Sequence, residues 1–127
     1  MMSSTGKADN RKQKGDAAEM AAAEMLRRKG YRILERNWRS RYGELDIIAE
    51  TEGVLVFIEV RSRTATASYG TPSESVNARK MMQVRNTAEQ YIHYKRYYDK
   101  PVRFDVISII LQDDMTAASM DHIVNAF

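Results

Sequence analysis

A predicted β-hairpin near the middle of the chain constrains its fold more than any other feature. Residues 43–50 and 54–61 are two runs rich in β-branched and large apolar side chains, separated by a turn containing Glu52 and Gly53. Such runs are typical of β-strands, and a short turn ending in glycine is typical of the connection in a hairpin. The chain is therefore expected to build a sheet around an antiparallel pair of strands.

The turn also sets which residues of the two strands face each other. Four cross-strand pairs follow from a two-residue turn: Glu50 with Leu55, Ile48 with Phe57, Asp46 with Glu59, and Glu44 with Arg61. Side chains directly opposite on one face have Cβ atoms about 4.5–5.5 Å apart, and like charges at that separation are destabilising. The Asp46–Glu59 pair therefore requires a compensating positive charge.

Alternation along the strands divides the hairpin into two faces. One predicted face is wholly apolar and consists of Leu45, Ile47, Ala49, Val54, Val56, Ile58 and Val60. The other face is apolar near the turn and charged at its far end, where Asp46 and Glu59 lie. A hairpin that is apolar on both faces is usually central in its sheet and covered on both sides. We therefore expect the two carboxylates at the rim of a core.

The residues alone allow two interpretations of the carboxylate pair. A divalent cation would neutralise both charges, and hard cations such as Mg²⁺ take oxygen ligands from one or two carboxylates, waters and substrate phosphates. Alternatively, Arg61 and Arg63 neutralise the acids in an ordinary ion-pair network. The Asp, the Glu and a cation two residues later occur together, which favours the functional interpretation.

Composition limits the possible classes of protein. The chain has 127 residues, the size of one globular domain, and a net charge of +3, which permits an anionic partner without requiring one. It has no cysteine and only two histidines, His93 and His122, so any metal should be held by oxygen. It has no apolar run of membrane-spanning length and no apolar signal core, so we expect no membrane partner and a cytoplasmic location.

Local signals predict the element order αβββαβ, with a possible extra edge strand. Helix-forming residues fill 15–29, and the second helix begins either at 72, after a capping box at 71–74, or at 78, after Asn77. Before the hairpin, the sequence predicts a disordered tail at 1–14, a strand at 31–37 and a basic connection at 38–42. After it, the sequence predicts a loop at 61–70 and an end of the second helix near 97. The last predicted segments are a strand at 102–111, a turn at 113–114 and an edge strand at 121–127. This order predicts an α/β fold in which helices flank a mixed central sheet, as a single domain spanning 15–127.

Residues along this order resemble a known family. The matching residues are Gly15, Ala18, Glu19, Gly30, Tyr31, Asn37, 43–49, 57–61, Arg63, Gly70, Pro72, Glu74, Val76, Lys80 and 103–106. Through them the chain resembles the YraN-type bacterial family of the PD-(D/E)xK nuclease superfamily, which is similar in fold to Holliday-junction resolvases. The resemblance covers nearly all of 15–127 and implies a restriction-endonuclease-like sandwich.

The resemblance implies an endonuclease that acts on structured DNA or other nucleic acid and depends on Mg²⁺ or Mn²⁺. By position, Asp46 and Glu59 would be metal ligands, and Glu19 an accessory acidic ligand, with a solvated helix glutamate as its alternative. Arg61 stands where the superfamily has lysine, and a guanidinium holds phosphate well but cannot act as a base. Lys80 matches a lysine of the family on the second helix, where it would supply an ammonium group or be a surface residue.

Basic and aromatic residues surround the charged end of the hairpin and predict contacts with nucleic acid, DNA in particular. The candidate phosphate-binding residues are Arg39, Arg41, Arg61, Arg63 and Lys80. Trp38 is assigned to the core, and the tyrosines at 91, 94, 97 and 98 to packing. We expect Glu44 to pair with Arg61, and Asp105 to have a structural role beside Arg103.

Three functions are compatible with these residues. The first is a metal-dependent endonuclease, favoured by Asp46 and Glu59. The second is a nucleic-acid-binding protein that retains a nuclease fold without turnover, favoured by Arg61. The third is an adaptor whose basic face binds an acidic protein, which the modest net charge allows. The sequence leaves the oligomeric state open.

Overall fold

A computed structural model of the chain describes residues 7–65 and 77–127. Within them the chain forms α1 (Lys7–Arg28), β1 (Arg32–Ser40), β2 (Gly43–Thr51), β3 (Val54–Thr64), α2 (Ala78–Lys95), β4 (Val102–Leu111) and β5 (Ala117–Ile123). The predicted order and the α/β class are confirmed, with β5 as the extra strand. The predicted capping box at 71–74, and the family-matching residues Gly70 and Val76, lie outside the described residues.

The five strands form one mixed sheet in the order β1-β2-β3-β4-β5. Strand β3 is central and runs parallel to β4, whereas the other neighbouring strands are antiparallel. Parallel neighbours need a crossover connection, and α2 lies in that connection between β3 and β4. The hairpin therefore occupies the middle of the sheet, as its apolar pattern predicts.

The hairpin turn is as predicted. Glu52 and Gly53 both have positive φ, 49° and 79°, which is the geometry of a type I′ turn. The register follows: Glu50 pairs with Leu55 and Ile48 with Phe57. The backbone pairing ends at Ile47 and Ile58, one residue before the expected Asp46–Glu59 pair. The strands thus separate where the two carboxylates begin.

Helices cover both faces of the sheet. On one face, α1 contributes small side chains and Leu26 to a core with Ile47, Val56 and Ile58. On the other, α2 contributes Val84, Ala88 and Tyr91 to a core whose sheet members are Leu45, Ile48, Leu55, Phe57 and Phe104. The site at the end of the hairpin is consequently bordered by a helix on each side.

The predicted face of Leu45 is wrong. It packs with Ile48 on the α2 side, although simple alternation puts it with Ile47 on the α1 side. The reversal occurs at the step between the cross-strand pairs Arg36–Ile47 and Trp38–Leu45. Asn37 lies within that step in β1 and has φ of 54°, a left-handed conformation that breaks the strand's alternation.

Several predicted boundaries also differ from the structure. Residues 7–14, assigned to the disordered tail, are the first turns of α1, and the Lys12–Asp16 ion pair lies on that helix. Lysine, arginine and glutamine there have high helix propensity, so they extend a helix that is anchored further along. The segment 61–64, assigned to a loop, continues β3 because it pairs with 108–111 of β4. The last strand spans Ala117–Ile123 rather than 121–127.

Helix α2 begins at the second of the two predicted positions. Asn77 is its N-cap, and its side chain accepts a hydrogen bond of 2.9 Å from the backbone N–H of Lys80. Arg96 ends the helix in the left-handed conformation, near the predicted position. Among the described residues, no helix is both long and apolar enough to span a membrane. The cytoplasmic location stays a prediction.

Candidate active site

The separation of β2 from β3 positions Asp46 between the two strands. The backbone N–H of Val60 donates a 2.9 Å hydrogen bond to Asp46 Oδ2. The side chain of Asp46 therefore joins the strands just past the end of their backbone ladder. This contact requires a short acceptor side chain at position 46, which aspartate supplies.

Glu59 is buried on the neighbouring strand, with 2% of its surface exposed. Two cations approach its Oε1 atom: Arg61 Nη2 at 3.6 Å, from the same strand, and Lys80 Nζ at 3.7 Å, from the first turn of α2. A buried carboxylate is costly unless it is paired, and the two cations compensate for part of that cost. Glu59, Arg61 and Lys80 thus form one cluster, as the sequence hypothesis requires.

Burial disfavours the ionised forms of the two carboxylates more than the nearby cations favour them. Burial raises the pKa of Glu59 to about 7, the charge of Asp46 acts in the same direction, and Lys80 and Arg61 oppose both. Burial also raises the pKa of Asp46, against the hydrogen bond from Val60 and the same two cations. Two protein cations therefore do not fully stabilise the ionised pair. An additional positive charge at this position would favour both carboxylates in their ionised form.

Glu19 of α1 belongs to the same electrostatic group. Burial raises its pKa to about 7, with a further contribution from the charge of Asp46, and a hydrogen bond from the Asn37 side chain opposes these effects. Its side chain is only 16% exposed, and its Oε1 atom is buried without a hydrogen-bond partner. Arg36 Nη2 lies 3.8 Å away. The alternative that Glu19 is a solvated helix residue is therefore wrong.

The donor set fits a hard divalent cation. Asp46 and Glu59 offer carboxylate oxygens, and Glu19 adds an oxygen that has no hydrogen-bond partner and only a 3.8 Å ion pair with Arg36. Mg²⁺ is commonly held by one or two carboxylates together with waters and substrate phosphates. Within 7–65 and 77–127, no three Asp, Glu or His side chains form a ready-made metal cage. The assignment of these three acids as metal ligands stays a prediction.

The histidines lie in other parts of the fold. His122 Nε2 contacts Asp105 Oδ2 at 2.8 Å, and His93 Nδ1 contacts the hydroxyl of Tyr98 at 2.6 Å. Each imidazole is thus tied to a partner outside the site. The expectation that any metal is held by oxygen stays a prediction.

The predicted phosphate-binding residues lie in three places. Arg61 and Lys80 meet at Glu59, whereas Arg39 and Arg41 are exposed near the β1–β2 turn. Arg63 is half-buried, further along β3. Arg61 and Lys80 therefore contact Glu59 from β3 and α2, whereas Arg39 contacts Glu44 near the β1–β2 turn.

The predicted Glu44–Arg61 ion pair is wrong. Glu44 instead accepts a 3.1 Å hydrogen bond from Arg39 Nε. Arg39 is its cross-strand neighbour in the β1–β2 ladder, whereas the β2–β3 ladder has already ended at this level. Arg61 is consequently left to pair with Glu59.

Trp38 belongs to the core as predicted. Its ring packs against Tyr91 at 5.3 Å between centroids, in an edge-to-face arrangement. Tyr94 and Tyr98 differ from the packing prediction because both are largely exposed, at 69% and 62%. Helical spacing alone does not separate these exposed tyrosines from the buried Tyr91. In the structure, Tyr98 lies beyond the end of α2, and Tyr94 lies at the edge of its apolar stripe.

Asp105 has the predicted structural role. It is fully buried, and it accepts hydrogen bonds from the guanidinium of Arg103, from His122 and from the backbone of Asn125. Burial would raise its pKa, but these donors hold the pKa at about 2. The network joins β4, β5 and the C-terminal turn.

Sequence reasoning missed several contributors to the site. Val60 acts through its backbone, which residue type does not reveal, and Arg36 contacts Glu19 across two elements. The sequence marks Asn37 only as a residue that matches the family. Asn37 directly follows Arg36 in a predicted strand, where asparagine is unfavourable. That unfavourable position was the sequence signal that could have identified Asn37 as a contributor to the site.

Comparisons with known proteins place the chain in a family. The model of uncharacterised protein family UPF0102 matches residues 18–109. A UPF0102 protein of Persephonella marina is 47% identical over 114 residues, covering 90% of this chain and 92% of the relative. One of Trichlorobacter lovleyi is 45% identical, covering 89% and 88%, and one of Clostridioides difficile is 41% identical, covering 93% and 99%. The chain therefore belongs to the UPF0102 family, which confirms the YraN-type resemblance.

Proposed function

We propose that this UPF0102 protein is a metal-dependent nuclease of the PD-(D/E)xK type, with a restriction-endonuclease-like arrangement of its sandwich, which hydrolyses phosphodiester bonds in structured DNA. One observation carries the proposal: the carboxylates of Asp46 and Glu59 flank the point where β2 and β3 separate, and two cations contact the buried Glu59. Such a combination suits a divalent cation and a phosphate together.

Each side chain has a distinct role in the proposed reaction. Asp46 and Glu59 would hold Mg²⁺ or Mn²⁺, with Glu19 as an accessory acidic ligand from α1. A metal in this position supplies a water of lowered pKa and neutralises charge on the phosphate. The phosphate itself is held by the nitrogen donors of Arg61 and Lys80, which already lie beside Glu59.

The arginine at position 61 is the main departure from the superfamily pattern, and Lys80 offsets it. A guanidinium remains protonated at accessible pH, so Arg61 can bind phosphate oxygens but cannot accept a proton. Lys80 reaches the same carboxylate from α2, at 3.7 Å from Glu59 Oε1. An ammonium group is thus available at the site although β3 does not provide it.

Cleavage assays with Mg²⁺ and Mn²⁺ test the proposal. Branched, flapped and single-stranded DNA, and single-stranded RNA, should be incubated with wild-type protein and with Asp46→Asn. We expect slow cleavage of at least one substrate by the wild type, and a loss of at least about 100-fold in the variant, the order expected for removal of a group that positions transition-state charge. Glu89→Gln, an exposed glutamate on the same helix as Lys80, is the matched control.

A second pair of variants tests the division of roles between the two cations. Arg61→Lys should preserve or increase cleavage because it restores a primary ammonium on β3. Lys80→Ala should reduce cleavage because Glu59 then keeps a single cationic partner. If Lys80→Ala cleaves as fast as wild type, Lys80 is a surface residue and has no part in the reaction.

Arg61 also favours a second function, a nucleic-acid-binding protein that retains the fold without turnover. In that case Arg61 and the exposed arginines bind phosphate, while the carboxylates have no catalytic partner. Absence of cleavage by wild type and by Arg61→Lys, with retained nucleic acid binding, would establish this function in place of the first.

A further inference from the structure

A cavity of about 480 Å³ opens on the outer surface of α2, beside the β1–β2 turn. It is lined by Tyr42, Ala78, Arg79, Met82, Gln83 and Asn86. Sites for small ligands typically have volumes of about 300–1,000 Å³. The cavity is large enough for a nucleoside-sized ligand, and none of its lining side chains belongs to the carboxylate site.

We propose that this cavity receives the base of one unpaired nucleotide, so that the substrate is nucleic acid with an unpaired segment next to the reacting phosphate. The inference rests on the proposed function and specifies its substrate class. A continuous duplex would keep its bases stacked and leave the cavity empty.

The cavity has the apolar surfaces that stack on a base. Tyr42 is 43% exposed and Met82 is 64% exposed, although both are large side chains that are more often buried. The guanidinium of Arg41 lies 5.3 Å from the centroid of the Tyr42 ring. Aromatic rings flanked by arginine are the usual stacking platforms for single-stranded nucleic acid.

The polar groups of the cavity complement a nucleotide. Gln83 and Asn86 carry amide groups, each able to donate and to accept hydrogen bonds, as base edges require. Arg79 supplies a positive charge for a phosphate. Among the residues that the structure describes, none that lines the cavity is acidic. The charge of the cavity is therefore suited to a nucleotide phosphate, and its exposed ring and amide groups are suited to a base.

The cavity and the candidate active site adjoin the same part of α2. Gln83 follows Lys80 by three residues on α2, so the two side chains lie on the same side of the helix. Gly43 at the start of β2 packs so closely on α2 that an added Cβ would lie 2.9 Å from Thr87 Oγ1 and 3.2 Å from Gln83 Nε2. The cavity, Lys80 and the strand bearing Asp46 are thus held against one another.

A second cavity limits the ligand to about one base. It has a volume of about 400 Å³ and shares Met82 and Asn86 with the first, but Glu89 lines it. There Arg85 already lies over the Phe104 ring, at 4.7 Å. An acidic residue and an engaged arginine make this second cavity a poor continuation for a phosphate backbone.

Binding measurements without turnover test the inference. Fluorescence anisotropy in EDTA would compare a single-stranded oligonucleotide with a duplex of the same sequence. Tyr42→Ala should weaken single-strand binding by roughly 5- to 100-fold, the loss expected for one stacked base, and change duplex binding by less than about twofold. Tyr42→Phe should bind like wild type because it keeps the ring. Tyr98→Ala, which removes an exposed tyrosine away from this cavity, is the matched control.

Four results would overturn the inference, and they can be distinguished. Wild-type protein that binds no nucleic acid in EDTA overturns the base site, and if it also cleaves no substrate in the Mg²⁺ and Mn²⁺ assays, the proposed function falls with it. Nucleic acid binding that Tyr42→Ala leaves unchanged overturns the base site alone. Equal losses for single strand and duplex make Tyr42 a backbone contact. A change in oligomeric state on Tyr42→Ala, measured by sedimentation, identifies the cavity as an interface between copies of the chain.

Discussion

Replacing Glu59 by Gln should stabilise the metal-free protein above pH 7. Burial raises the pKa of Glu59 from its ordinary 4.5 to about 7, so the folded state holds this proton more tightly than the unfolded state does. Stability is therefore lost as pH rises from about 4.5 to about 7, and the full cost remains at higher pH. At about 1.4 kcal/mol per pKa unit, that cost is about 3 kcal/mol.

Glu59→Gln removes this cost, but it also weakens the interaction of residue 59 with Lys80 and Arg61. We expect a net stabilisation of about 1–3 kcal/mol at pH 8 and almost none at pH 4.5. Urea unfolding in EDTA at both pH values measures the difference, with exposed Glu89→Gln as the control. A variant less stable than wild type at pH 8, or a difference that is independent of pH, would refute this account of the buried carboxylate.

Three further predictions concern the scaffold and its surface. Asp105→Asn should destabilise the fold by about 3 kcal/mol in urea at pH 7, because its buried cationic and backbone donors are left without a charged acceptor, whereas exposed Asp114→Asn should cost far less. Since the pKa of Asp105 is lowered to about 2, its stabilising contribution should also disappear as pH falls from about 4 towards 2. Gly43→Ala should lower the melting temperature by several degrees, because residue 43 has φ of 152° and the added Cβ would meet α2. Arg39→Ala combined with Arg63→Ala should weaken nucleic acid binding and reduce its dependence on salt, by about 0.7–0.9 in the log–log slope for each phosphate that the protein no longer neutralises.

The parts of the fold that were predictable from sequence are those with local signals. The type I′ turn at Glu52–Gly53 and the Asn77 cap both depend on residues within four positions of each other. The C-terminal end of β3 depends instead on a distant segment of the chain. Thr64 is in a strand because it pairs with Leu111, and the residue pattern around Thr64 does not reveal that partner.

The candidate site likewise combines contacts that the sequence predicts with contacts that it does not predict. Spacing across the hairpin was enough to associate Asp46 with Glu59, although their ladder ends one residue earlier than expected. The burial of Glu19 and the approach of Lys80 depend on how two helices pack on opposite faces of the sheet. Those contacts were implied by family resemblance, and the residue pattern alone could not supply them.

The left-handed conformation of Asn37 is the clearest example of a structural feature that the sequence does not reveal. It lies at the step where the facing of Leu45 reverses, and the Asn37 side chain forms a hydrogen bond with Glu19. Asparagine adopts this conformation more readily than most residues, but many asparagines in strands do not. Only the packed sheet shows that this one does.

Broadening of backbone NMR signals by Mn²⁺ tests the central claim most directly. With substoichiometric Mn²⁺ added to the wild type, the amide signals of Asp46, Glu59 and Val60 should broaden first. The amide of Met115, in the β4–β5 turn, should remain sharp, and Asp46→Asn should abolish the selective effect. Broadening centred elsewhere, or broadening of the same signals in Asp46→Asn, would contradict a metal site at the separation of β2 and β3.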